Sequence, residues 1–360
     1  MAVSGTVPTE LGDKKIRDLL MQYAVPAIIA MTASSLYNMV DSIFIGHIKD
    51  VGSYAISGLA VTFPLMNIST ALGTLVGVGA STILSMLLGQ RNYQAANKVI
   101  INEVMLNVII GTLYTVITLV FLDPILMFFG ASANTLPYAR DYMVIILIGN
   151  VITHLYFGLN NIIRASGNPK LAMALTIFTV VSNTILDPIF IFWLDMGIKG
   201  AALATVICQL LALVYTVRYF LSGKNYLRLP RRMSEYRLDW RIAKDSLTIG
   251  MGPFLMNSAA CIVTMFINQQ LSKYGGDLAI GAYGIVNRFT FLFIMVNMGL
   301  NQGMQPIAGY NFGAREYSRV KQVFWLTVIC ASAVSFLGFI VSECCPDIAV
   351  SLCTNDPELM

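Results

Sequence analysis

The chain has 360 residues, of which 56% are hydrophobic and 12% charged, with a net charge of +4 and a mean hydropathy of +0.70. Soluble domains carry about twice that charge, and a water-soluble globule has no interior for so much apolar surface. Disordered chains show the opposite composition, and so small a net charge gives no basic groove for nucleic acid. These quantities describe an integral membrane protein.

A helix crosses roughly 30 Å of hydrocarbon with about 20 apolar residues. Runs of that order occur, in chain order, at Leu19–Val40, Val51–Gln90, Val104–Leu122, Tyr142–Ile163, Leu171–Leu186, Gly200–Val217, Ser246–Ser272, Leu278–Ala314 and Gln322–Ser342. They predict nine transmembrane helices and an all-α fold, and no segment shows the alternation of a membrane barrel. The first run is longer than a signal-peptide core and is read as a retained helix. With the N-terminus in the cytoplasm, 18 of the 23 Lys and Arg fall inside and four outside, with Arg288 within a span. This bias predicts a multi-pass protein with a cytoplasmic N-terminus. The loop Arg218–Lys244 holds eight basic residues against Glu235 and Asp239. It reads as a cytoplasmic anchor facing anionic lipid rather than a nucleic-acid site.

The chain also repeats itself. At an offset of 227, Pro26 falls on Pro253 and Asp41 on Asn268; at 224, Gly89-Gln90-Arg91-Asn92-Tyr93 falls on Gly313-Ala314-Arg315-Glu316-Tyr317. Six helices separate the repeat starts, so both halves have the same orientation and are related by an axis along the membrane normal, a transporter plan. The expected domains are a lobe of six helices at 1–222, a basic linker at 223–243, and a partial second lobe of helices seven to nine at 244–360. Either about three helices are missing from this sequence, or nine helices are the finished product; the repeat favours the first.

Enzyme motifs are absent: there is no HExxH, no GxSxG and no phosphate loop, which predicts neither an enzyme nor a self-contained ATP-driven pump. The six cysteines show no paired metal spacing. Ionisable residues inside spans are the better pointers, since each costs roughly 2.5–3.5 kcal/mol or more at mid-bilayer. Asp41 shares one helix face with Tyr37 and Asn38, and Asn183 and Asp187 stack at i, i+4. Pro188 leaves the Thr184 carbonyl without its helical donor. Counting 1.5 Å per residue places Asp41, Asn183, Asp187 and Thr205 in the outer half of the membrane. Their carboxylate, amide, hydroxyl and carbonyl oxygens suit Na⁺ or a shared proton, although such groups also tie helices together. Pro26 frees the carbonyl of Gln22 and offers a hinge. Glu103 and Glu343 are placed near helix ends within reach of water, and Arg288 about ten residues into the eighth helix, lining a cavity or snorkelling.

Five motifs in order then become recognisable: Leu36 to Asp41, Arg164 to Lys170, Asn183 to Pro188, Gly197 to Thr205, and Gln305-Pro306 through Asn311-Phe312-Gly313-Ala314. The chain resembles the multidrug and toxic compound extrusion family, in the branch of the DNA-damage-inducible F proteins and staphylococcal multidrug exporters. The resemblance implies two six-helix lobes and a cation-coupled antiporter that exports amphipathic, often cationic drugs by alternating access. It implies a bacterial inner (plasma) membrane location, a monomer in the lipid bilayer, and no cofactor beyond the coupling Na⁺ or H⁺. The cation site maps onto Asp41, Asn183, Asp187 and Thr205, with Asn160 tied to the same network. The seventh helix lacks the acidic residue that the other major branch places there. The competing readings are a lipid-linked glycan flippase, which calls for a strongly basic cavity, and a non-transporting receptor or scaffold.

Overall fold

The computed structural model describes residues 9–48, 52–222, 226–274 and 276–344. All regular structure among them is helical: α1 (Glu10–Asp13), α2 (Ile16–Gly46), α3 (Gly52–Gly89), α4 (Tyr93–Val120), α5 (Leu122–Phe128), α6 (Leu136–Ala165), α7 (Pro169–Pro188), α8 (Ile198–Leu221), α9 (Trp240–Tyr274), α10 (Gly276–Gly313) and α11 (Tyr317–Cys344). The nine long ones coincide with the nine apolar runs, and eight are long and apolar enough, by length and composition, to cross a membrane. Several helices outrun their apolar stretches, α2 and α6 at both ends, because intrahelical hydrogen bonds continue where the side chains turn polar. α3 has 38 residues, far more than the hydrocarbon requires.

The repeat is present down to the backbone dihedrals. Arg91 and Arg315, mates at 224, both take a left-handed φ, +58° and +63°. The turns around them close identically, with Asn92 N–H on Leu87 O at 2.9 Å and Glu316 N–H on Asn311 O at 2.8 Å. The helices they terminate, α3 and α10, cross each other symmetrically. A Cβ on Gly89 would stand 1.9 Å from the Tyr310 carbonyl oxygen, and one on Gly313 would stand 1.9 Å from that of Met86, the repeat-mate of Tyr310. Only glycine lets two backbones approach so closely, the usual device of membrane helix pairs.

This crossing lies at the end of the bundle where Lys and Arg concentrate. There one core joins both halves, with Leu19, Leu20, Tyr23, Leu84 and Leu88 packed with Leu300, Ile307, Tyr310 and Val323. Polar bonds reinforce it. Gln305 donates to the Val78 carbonyl at 3.0 Å and to Thr82 Oγ1 at 2.5 Å, and Arg319 to Asn311 Oδ1 at 2.8 Å and the Lys14 carbonyl at 2.6 Å. At the opposite end a second core forms around Ile45, Leu65, Met143, Leu147, Ile191 and Ala201, drawn among the described residues from those before 222. Leu255, Met256 and Phe266 of α9 are exposed. The contacts between the halves among the described residues gather toward the basic end.

The stretch between α8 and α9 is not a loose tether. Tyr226, Leu227 and Leu229 are buried, and the Tyr226 hydroxyl donates to the Ser166 carbonyl at 2.8 Å. Asn97 of α4 holds the backbone on both sides, donating to Tyr226 O at 3.3 Å and accepting from Arg228 N–H at 2.8 Å. α9 begins at Trp240, inside the segment expected to be linker.

Candidate functional site

Three helices of the first half converge on one polar cluster. α2 brings Tyr37 and Asp41, α7 brings Asn183 and Asp187 on consecutive turns, and α8 brings Thr205. Asp41, Asn183 and Asp187 are 6%, 3% and 0% exposed. Thr205 is the organising group. Its hydroxyl donates to the Ala201 carbonyl at 3.1 Å, so the Tyr37 hydroxyl, 2.9 Å away, must donate to it. Asn183 Nδ2 donates to the same oxygen at 3.3 Å, and Thr205 is then fully used.

The carboxylates are not satisfied. Asp41 Oδ1, Asn183 Oδ1 and both oxygens of Asp187 are buried without a hydrogen-bond partner. The two acids lie close enough to feel each other's charge, and the phenols of Tyr37 and Tyr142 are near enough to feel both. The ion pairs among the described residues, Lys14–Glu10, Lys98–Asp239, Arg140–Asp123 and Lys199–Asp141, all lie elsewhere, near helix ends. Two buried carboxylates with no ion-pair partner among the described residues cost several kcal/mol each. A proton or a small hard cation placed among these oxygens removes that cost, and the donor set is all oxygen, as such a cation requires.

The backbone beside the cluster is irregular where Pro188 predicts it. α7 ends at Pro188 and runs directly into a π-helical turn, Ile189–Trp193, a feature associated with functional positions in helices. Pro26 is buried inside α2, four turns from Asp41.

Several expectations are corrected. Asn160 does not join the cluster: its amide donates to the Ala172 carbonyl at 3.0 Å, and its oxygen accepts from Arg164 at 3.5 Å, near the basic end. Arg164, counted from sequence among the cations of the inner side, is 6% exposed. It reaches across to Gln302 of α10 and to Asn161 at 3.2 Å. Glu103, expected to reach water, is 0% exposed. The side chains of Asn38 and Arg288 lie outside the described residues. Sequence reasoning missed Tyr142, 2% exposed beside the acids; a tyrosine in an apolar helix carries no signal of the face it takes.

A helical membrane protein with parallel internal repeats and an acidic cluster buried in one half has the build of a secondary transporter. Comparison with known proteins agrees. The MatE family model matches residues 26–189 and 252–360, and the chain belongs to that family. It is 31% identical over 327 residues to the multidrug export protein MepA of Staphylococcus aureus (strain NCTC 8325 / PS 47), covering 89% of this chain and 71% of that one. It is 30% identical over 348 residues to MepA of Staphylococcus haemolyticus, covering 97% and 76%. Among solved structures, the MATE multidrug transporter DinF-BH superposes with a TM-score of 0.88 at 34% identity, over 100% of this chain and 79% of that one. A MOP superfamily transporter from Pyrococcus furiosus superposes with a TM-score of 0.90 at 22% identity, over 99% and 78%.

Proposed function

We propose that this protein exports amphipathic, often cationic compounds across a bacterial inner membrane in exchange for Na⁺ or H⁺, with Asp41 and Asp187 as the coupling site. The observation that carries the reading is the set of four buried oxygens left without partners on Asp41, Asn183 and Asp187. Kinship with MepA, named a multidrug export protein, supports the drug substrates.

The mechanism follows from charge. Empty, the cluster holds two carboxylates in low dielectric, and both cannot stay ionised cheaply. Cation binding from outside neutralises it and lets α2, α7 and α8 draw together around Thr205. A drug entering the cleft between the halves favours the charged form and so expels the ion. That mutual exclusion is a coupling free energy between two sites, and it makes the exchange an antiport. The buried Pro26 of α2 provides the flexible point at which this helix answers the change. With the basic end cytoplasmic, the join there closes the inner side and the cleft opens outward.

Dye efflux from everted vesicles under an imposed Na⁺ or H⁺ gradient tests the reading. Asp41→Asn and Asp187→Asn should each abolish gradient-driven efflux at wild-type expression. Normal efflux by either variant overturns the assignment.

A further inference from the structure

A second buried acid stands apart from the Asp41–Asp187 cluster, in the seam between α4 and α6. Glu103 is 0% exposed, and so is Asn107, one turn further along α4. Asn107 Nδ2 donates to Glu103 Oε1 at 2.5 Å. The fit is tight: a Cβ on Gly158 of α6 would stand 1.6 Å from Glu103 Oε1 and 2.6 Å from Asn107 Nδ2. The seam therefore has room for this pair only because residue 158 has no side chain.

The polar atoms of the pair left without a partner are Glu103 Oε2 and Asn107 Oδ1. Both are acceptors in an ionised pair, so each would be buried with nothing to accept from, at about 1–3 kcal/mol or more apiece. One proton on Oε2 answers both. It gives the acid an O–H to donate to Asn107 Oδ1, while Asn107 returns its N–H to Oε1. The result is a closed acid–amide ring that leaves none of the three oxygens without a partner.

The surroundings offer no substitute for that proton. α3 faces the seam with Gly77, and α6 with Gly158 and Asn161. On α9, which also packs against α4, Arg241, Lys244 and Asp245 are exposed, and the charged groups of α6 and α4 are engaged elsewhere. Arg164 is turned toward Asn161, Asn160 and Gln302, and Lys98 pairs with Asp239 at 3.6 Å. His154, one turn from Gly158 on α6, contacts Ser69 Oγ through Nε2 at 3.0 Å. Ser69 gives its own proton to Asn150 at 2.5 Å, so His154 must donate from Nε2, and its unpartnered Nδ1 lies toward Gly111.

We propose that Glu103 is a proton-binding site separate from the Asp41–Asp187 cluster, with Asn107 as its hydrogen-bonding partner and Gly158 as the space that admits it. The ligand is the hydrogen ion itself. Glu103 lies about 15 Å from the start of α4 at 1.5 Å per residue, on the side of the bundle where the halves are joined.

Infrared spectroscopy of the whole chain in lipid nanodiscs tests this without requiring transport. At neutral pH the wild type should show a C=O band of a protonated, hydrogen-bonded carboxylic acid, shifted by exchange into D₂O. The band should persist in the Asp41→Asn/Asp187→Asn double variant and vanish in Glu103→Gln, which keeps the ring by substituting an amide for the acid. Asn107→Leu keeps the acid and removes its partner, so the band should move to the frequency of a free acid. A band lost with the two aspartates and kept in Glu103→Gln, or one that Asn107→Leu leaves unmoved, overturns the proposal. Because efflux and infrared report separately, failure of the coupling assignment leaves this test intact.

Discussion

Thr205 shows how little redundancy the coupling cluster holds. Its single oxygen takes hydrogen bonds from Tyr37 and Asn183 while giving its own to Ala201. Thr205→Val keeps the shape but strands both donors, at about 1–1.5 kcal/mol each. We expect the half-saturating Na⁺ or H⁺ concentration for efflux to rise roughly tenfold or more, and Thr205→Ser to stay near wild type. Gly158→Ala is a harsher change, because the new methyl would overlap the Glu103 carboxyl. Overpacking of this kind costs about 1–3 kcal/mol, and a lowered melting temperature in detergent should show it. These residues differ in how legible they were. Asp41, Asn183 and Asp187 stood out because polar groups at helical spacing are costly inside an apolar run unless they meet one another or a ligand. Glu103 and Arg164 did not, because distance from a helix end says nothing about whether a side chain faces water or a neighbouring helix. Asn160 was matched by motif alone, and its amide turned out to serve a carbonyl on the adjoining helix.

At the scale of elements, hydropathy located every long helix but not where each one stops. α2 runs from Ile16 to Gly46 although its apolar run spans only Leu19–Val40. Pro188 signalled a break, yet nothing in the composition distinguished a π turn from a simple end. The stretch joining α8 to α9 was the least legible, since its charges suggested a basic linker facing anionic lipid while its buried apolar residues, Tyr226, Leu227 and Leu229, bind it to the helices. Asn97 is the clamp, and Asn97→Ala should free the backbone at Tyr226 and Arg228. We expect tryptic cleavage at Arg231 and Arg232 to accelerate severalfold in that variant, with the melting temperature little changed; an unaltered cleavage rate would argue that the hydrophobic contacts alone hold the segment.

For the whole molecule, the repeat read from sequence became a physical axis through the crossing of α3 and α10. Gly89 and Gly313 occupy equivalent places there, each against the other helix's carbonyl. A larger residue at either should separate the halves at the basic end, and once they are apart the second change has little left to disturb. Gly89→Leu and Gly313→Leu should therefore destabilise similarly, with the double variant well short of their sum, as a double-mutant cycle would report.

The crossings flanking that axis are related by the repeat but not interchangeable. Leu75 of α3 lies against Gly250 of α9, while Gly299 of α10, the repeat-mate of Leu75, lies against Ile28 of α2. One mate carries bulk where the other carries none, so the first half does not fit against itself as it fits the second. Two copies of residues 1–222 would drive Leu75 into the backbone at Ile28, where the intact chain sets a bare glycine. Supplied as separate polypeptides split after residue 222, the halves should find one another in the membrane. A tagged 1–222 segment should retrieve 223–360 and leave an untagged copy of itself behind.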